Sequence, residues 1–273
     1  MSNRRVFGAR KIKRKLLTKY GINVSVRRIS RNMRELGISS VYQNKKYKAI
    51  KTAVNESNVP NRFNREFNDK KPYEVIVSDL TYARVKDYWQ YVCILLDLLN
   101  REIAGYSVGP RKDAVLVKSA FAKVKTNLSG IKIFHSDRGG EFDNMLIDDI
   151  LDAFDISRSL SMKACPYDNA VAESTFKIIK SEFLHRQTFG SLEHLQTELD
   201  DFVRWYNQDR PHSTLGYLSP AEYRARYSIM TSPAASYCSD EESYDWIDGS
   251  GIIQNSRAKL LVGTPLEKCL TKC

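Results

Sequence analysis

The stretch Ile131–Gly140 limits what this chain can fold into more than any other. A short apolar run stops at an acid, Asp137, and after Arg138 come two glycines, Gly139 and Gly140. Such a run reads as a buried strand that delivers a carboxylate to the edge of a sheet. Glycines there let the backbone turn sharply and leave room for a close approach to the acid. A second strand of the same kind, Val75–Ser78, leads into Asp79, and a helical pattern from Asn169 carries Glu173 near its start. Two strand-borne acids and one helix-borne acid can converge on one point. Oxygen ligands of this kind suit hard divalent cations such as magnesium.

The pattern around these acids is α/β. Strands are expected at Glu74–Ser78, Tyr88–Leu96 and Glu102–Val108, and their short connections predict an antiparallel meander. Ala114–Lys125 reads as a helix, then come a strand at Ile131–His135, a helix near Met145–Phe154 and a short strand near Ile156–Ser161. Two further helices are expected, Asn169–Arg186 with Val171, Phe176, Ile179 and Phe183 on its buried side, and Leu192–Asn207.

Charge divides the chain. Residues 1–72 hold 20 Lys/Arg against 4 Asp/Glu, whereas residues 73–227 hold 19 against 22, within a total of +11. A basic front on a mildly acidic body is an electrostatic footprint for nucleic acid. Residues 1–39 predict a helical pair. Ile12, Leu16 and Leu17 line the first helix, which Tyr20-Gly21 closes. Ser25 caps the second, with Ile29, Met33 and Leu36 on its apolar face and Arg27, Arg28, Arg31 and Arg34 on the other. Two readings stand side by side: a helix-turn-helix reader in a major groove, or a basic hairpin gripping phosphates. Residues 40–72 read as a basic, asparagine-rich linker, with Tyr42 and Tyr47 among lysines. Five cysteines without paired ligand spacing argue against zinc. With no signal sequence expected and no run long enough to span a bilayer, they point to a reducing cytosol.

The order β-β-β-α-β-α-β-α, with its three acids, resembles the ribonuclease H-like core of DDE transposases and retroviral integrases. Asp137 and Glu173 leave 35 residues between them, similar to the spacing that marks this group. Three stretches, His135–Phe142, Pro166–Ser174 and Trp205–His212, resemble bacterial insertion-sequence transposases. The resemblance is to the orfB product of the family often called IS-three, and runs from about Phe7 to Tyr227. It implies a ribonuclease H-like mixed sheet with flanking helices over residues 73–227, preceded by the small helical DNA-binding segment. It also implies metal-dependent 3′-end cleavage and strand transfer on DNA, with Asp79, Asp137 and Glu173 as both catalytic and metal-holding residues. Two Mg²⁺ ions, for which Mn²⁺ can substitute, would sit about 4 Å apart, with Asp79 bridging both.

The remaining site residues carry less weight. Lys180 lies seven positions after Glu173, on its face of the helix; in similar transposases a basic residue there contacts the DNA backbone, the other reading being a solvent-facing lysine. His135, two before Asp137 on one side of a strand, either contacts a phosphate or is a hydrogen-bonded structural histidine. Asn169 is expected to cap the Glu173 helix and to touch substrate. Partners implied are element ends, target DNA, further copies of the chain on DNA and the product of the upstream frame, in a bacterial cytoplasm at the nucleoid. Family members commonly carry a further upstream helix-turn-helix and leucine-zipper segment made by frameshifting, which is not in this sequence. Residues 228–273 resemble nothing in the family and are expected to be a disordered or loosely docked tail. Competing readings are a catalytically silent DNA-binding fragment of a decayed element and a ribonuclease on the same fold.

Overall fold

The structure is a computed structural model that describes residues 6–41, 71–137, 139–160, 170–231, 244–247 and 253–256. Three strands, β1 (Val75–Val85), β2 (Tyr88–Asp97) and β3 (Ile103–Gly109), form the expected antiparallel meander. β4 (Ile133–Ser136) lies parallel beside β1, and β5 (Ser157–Leu160) parallel beside β4. The sheet order is β3-β2-β1-β4-β5. Parallel neighbours need crossover connections, and α3 (Ala114–Phe121) and α4 (Met145–Ala153) supply them. Each begins on a side-chain cap: Asp113 accepts from the Leu116 amide and Asn144 from the Ile147 amide.

Alternation along β1 sorts the two cores. Val75, Val77, Ala83 and Val85 face one cluster, which α5 (Ala170–Ile179) and α6 (Leu192–Gln208) complete with Phe176, Ile179, Leu199 and Phe202. Ile76 faces the other cluster, with Val117 and Phe121 of α3 and Ile147 and Leu151 of α4. Helices thus cover both faces of a mixed sheet, the ribonuclease H-like arrangement expected. One strand departs from expectation. β1 does not end at Ser78 but runs to Val85, because β2 pairs with it through Val85↔Tyr88 long after β4 has stopped.

At the front, α1 (Ala9–Tyr20) ends on Gly21, whose φ of 66° is the left-handed conformation glycine tolerates. Ser25 caps α2 (Val26–Glu35) by accepting from the Arg28 amide. Ile29 and Met33 are buried as expected, but Leu36 is exposed, because α2 ends at Glu35 and Leu36 is only its cap. Val6 and Phe7 are buried in the same cluster as α6, and Phe7 stacks on Trp205 with ring centroids 6.0 Å apart.

The chain divides into two compact units, Met1–Ala221 and Glu222–Cys273. Most of α7 (Pro220–Met230) belongs to the second, and α7 runs past Tyr227, where the core was expected to end. Also in that unit, β6 (Tyr244–Ile247) pairs antiparallel with β7 (Ile253–Ser256). Most of the expected linker and the rest of the tail lie outside the described residues. No helix among the described residues is long and apolar enough to cross a membrane.

Candidate active site

Strand register brings two of the three acids together. β1 and β4 pair in parallel through Val77↔His135, and Asp79 and Asp137 each lie two residues further along. Equal steps along parallel neighbours leave side chains level and on one face of the sheet. The two carboxylates act on each other. Burial first, and the Asp137 charge with it, push the Asp79 carboxyl up to about 6, against the opposing pull of the Leu80 amide, Lys180 and Lys112. The Leu80 amide donates to Asp79 Oδ1 at 2.7 Å, and the Gly139 amide to Asp137 Oδ1 at 3.0 Å. Lys112, beyond β3, is held by Glu141 at 2.8 Å, and the pull of Glu141, Asp137 and Asp79 raises its pKa. The space beside Gly139 is taken by the Glu141 carboxylate, so a Cβ there would collide with it. Lys112 was not singled out from sequence, and Glu141 only as a candidate partner of Arg138.

This arrangement has a pH signature. With a pKa of about 6 folded and 3.8 as its ordinary value, Asp79 keeps a proton in the folded chain that the unfolded chain has released in between. Its contribution to stability therefore falls as pH rises through that window and stays low above it. Asp79→Asn is expected to raise the melting temperature at pH 8 in EDTA, by a stability gain of order 2 kcal/mol. The gain should vanish near about pH 4. Melting curves at the two pH values check it, and a variant no more stable at pH 8 would mean that the Asp79 carboxylate is not under this strain.

The third acid stands apart. Glu173 is in the first turn of α5 and exposed, and among the described residues no three His, Cys, Asp or Glu side chains gather as a metal site requires. Lys180 does reach the site: it opens a π-helical turn, Lys180–Leu184, that continues α5, and its charge is felt at Asp79. Of the two readings of His135, the structure carries the hydrogen-bonded one: it is 2% exposed and its Nδ1 lies 3.0 Å from Ser159 Oγ, which ties β4 to β5. Asn169 and Arg138 lie outside the described residues.

Comparison with known proteins adds the family. Family models described as "Integrase core domain" match residues 69–166 and 173–227, and one described as "HTH-like domain" matches residues 1–46. The catalytic core domain of HTLV-2 integrase, solved in complex with magnesium, aligns with 56% of this chain and 97% of its own at a TM-score of 0.44 and 16% identity. The 31 kDa protein of insertion element IS600 of Shigella sonnei is 31% identical, over 83% of this chain and 84% of that protein. Transposase InsF for insertion sequence IS3A of Escherichia coli K12 is 30% identical, over 74% of this chain and 72% of that protein. The chain belongs to the IS3 family of insertion-sequence transposases.

In this IS3-family chain the stretch Trp205–His212 turns out to be a clamp. Asn207 at the end of α6 accepts from the Ile103 amide at 2.9 Å and donates to the Ile103 carbonyl at 3.0 Å, fixing α6 to the edge strand β3. Arg210 makes a two-pronged ion pair with Glu182, 2.6 Å on each prong, and both side chains are buried. Lys11 of α1 lies 3.8 Å from the same carboxylate. Beside them, burial and the charges of Arg210, Lys11 and Arg101 hold His212 well below the usual histidine range. The four arginines of α2 are all exposed, and Arg31 lies 3.9 Å from Glu35.

Proposed function

We propose that this chain is a transposase that cleaves 3′ ends of an insertion sequence and joins them to target DNA. The observation that carries the reading is the Asp79–Asp137 pair, level on adjacent parallel strands and flanked by Lys112 and Lys180, in a chain of the IS3 family. Asp79 and Asp137 fit hard divalent cations: they are oxygen donors side by side, and their repulsion is part of what raises Asp79. Glu173 fits by chemical type and by its place on α5, though not by proximity. We infer that the three acids hold two Mg²⁺ ions, with Mn²⁺ as substitute. When bound, such ions activate the attacking oxygen and steady the leaving oxygen of an in-line displacement.

The chain's own residues do the rest. Lys112 and Lys180 place positive charge where a scissile phosphate must approach two carboxylates. Water attacks phosphorus, the bond to the 3′ oxygen breaks, and that oxygen leaves as a hydroxyl. The freed 3′-hydroxyl then attacks a phosphodiester of the target, releasing one of its 3′ ends. No covalent enzyme intermediate is formed. A thiol nucleophile is disfavoured at Cys93, which is buried and pushed up to about 12. Arg27, Arg28, Arg31 and Arg34 supply affinity for the element ends, and further copies of the chain and the upstream-frame product complete the assembly, in the bacterial cytoplasm at the nucleoid.

Incubation with labelled DNA carrying the element ends, taken from the sequence flanking the gene, tests the reading. Cleaved and joined products should form with Mg²⁺ and not with EDTA. DNA binding with no product under any metal would favour a silent fragment, and cutting confined to an RNA–DNA hybrid would favour a ribonuclease. Changing Arg27, Arg28, Arg31 and Arg34 together to Ala should weaken duplex binding and flatten its log–log salt slope by up to about four. An unchanged slope in a gel-shift series would remove α2 from the DNA.

A further inference from the structure

Beyond Asp79, β1 leaves its β4 partner and carries aromatic side chains that nothing in the core covers. Tyr82 is 58% exposed and Trp89, across the hairpin on β2, 54%. Arg84 pairs with Trp89 in register, and Tyr82 is two residues from Arg84, so all three stand on one face of the ribbon. Tyr82 and Trp89 meet edge to face with centroids 5.0 Å apart. The Arg84 guanidinium lies 6.0 Å from the Trp89 ring, and the Lys180 ammonium 6.0 Å from the Tyr82 ring. Arg84 also lies 3.8 Å from Asp87, an exposed pair that solvent screens. The patch borders an open cavity of about 570 Å³, lined by Tyr82, Arg84, Lys86 and Trp89 on one side and by Leu184, His185 and Gln187–Gly190 on the other. That second wall is fixed, because the Lys86 amide donates to the Phe189 carbonyl.

Exposed aromatic rings between cations are poor protein core and good nucleic-acid surface. Every base has a π-face to stack, and the phosphates on either side need positive charge. Inside a duplex the base faces are stacked on one another, and only the terminal pair has one face free. An unpaired base at the end can leave the stack and reach rings that stand beside a cavity. We propose that Tyr82 and Trp89 form a stacking platform for an unpaired nucleobase at the DNA end, with Arg84, Lys86 and Lys180 on the adjoining phosphates. The platform rests on the transposase reading for its place in the reaction. Lys180 links the two, since its charge reaches Asp79 while its ammonium stands over Tyr82.

Binding in EDTA separates this from catalysis. The full chain should bind a duplex bearing two unpaired 3′ nucleotides about tenfold more tightly than the same duplex with blunt ends. Tyr82→Ala with Trp89→Ala should abolish that preference while leaving blunt-end affinity unchanged. Tyr82→Phe and Trp89→Phe, which keep the rings, should retain it. Single-stranded oligothymidine should quench tryptophan fluorescence in the wild type, and Trp89→Phe should lose most of the quenching. A preference that survives both alanine changes, or none in the wild type, overturns the platform. So does a wild type that is oligomeric without DNA and becomes monomeric on Trp89→Ala, which would make the patch a contact between copies. Cleavage without end preference would sink the platform and leave the transposase reading standing; end preference without cleavage under any metal would do the reverse.

Discussion

Glu173→Gln should lower 3′-end cleavage and joining at least about a hundredfold, the scale on which a positioned electrostatic group acts. The substitution keeps volume and hydrogen-bonding shape and removes only charge. Glu173→Asp keeps the charge but draws it back by one methylene, and should fail similarly, because magnesium demands near-ideal ligand geometry. Neither change should weaken DNA binding much, since the exposed arginines of α2 and Lys180 are untouched. Gel-shift affinity measured beside cleavage of one labelled substrate reads both effects. Near-normal cleavage by Glu173→Gln would mean that its exposed position on α5, away from Asp79 and Asp137, is its working position. The site would then be a two-carboxylate site.

Arg210→Ala should be among the most destabilising single changes in the core. It removes the two-pronged partner of a carboxylate with no exposed side-chain surface and leaves Lys11 3.8 Å away. Breaking a buried pair from one side costs about 3–5 kcal/mol, a fall in melting temperature of roughly 10 °C for a unit of this size. Arg210→Lys should recover only part, because an ammonium cannot make the planar fork. Arg210→Met combined with Glu182→Leu should recover part of the loss, since it leaves no buried carboxylate unpaired, although Lys11 then loses the Glu182 charge. Urea and thermal melts decide. A fall of less than about 2 °C for Arg210→Ala would show that Glu182 is satisfied without it.

Asp79 and Asp137 were legible in the sequence because each follows a short apolar run, and a parallel pair of such strands leaves them level. The full length of β1 was not legible. Leu80–Val85 mixes polar and apolar residues, and it is pairing with β2 that keeps it extended. The Glu182–Arg210 pair was hidden for a different reason: its members lie 28 positions apart, in different elements. A signal was present nonetheless, an acid set between Ile179 and Phe183 on the apolar side of its helix, where a charge requires a partner. His135 shows the converse. Strand alternation placed it with Asp137, but alternation does not show which partner a side chain finds, and Ser159, its register partner on β5, meets its Nδ1. For Glu173, 35 residues of spacing give its place along the chain and not the direction in which α5 presents it.

The seating of Val6, Phe7 and Lys11 against α6 and Glu182 makes the front helices part of the same compact unit as the sheet. They are not beads on a string. Cutting the chain at residue 72 would strip Phe7 from Trp205 and expose apolar surface, so a trimmed core should clump, whereas neutralising the arginines in place should not. The same seating acts as a ruler. If the proposed function holds, the span from the arginines of α2 to Asp79 and Asp137 is set by packed side chains and not by the reach of a tether. Where along an element end the break falls would then be a property of the rings of Phe7 and Trp205 as much as of the acids themselves.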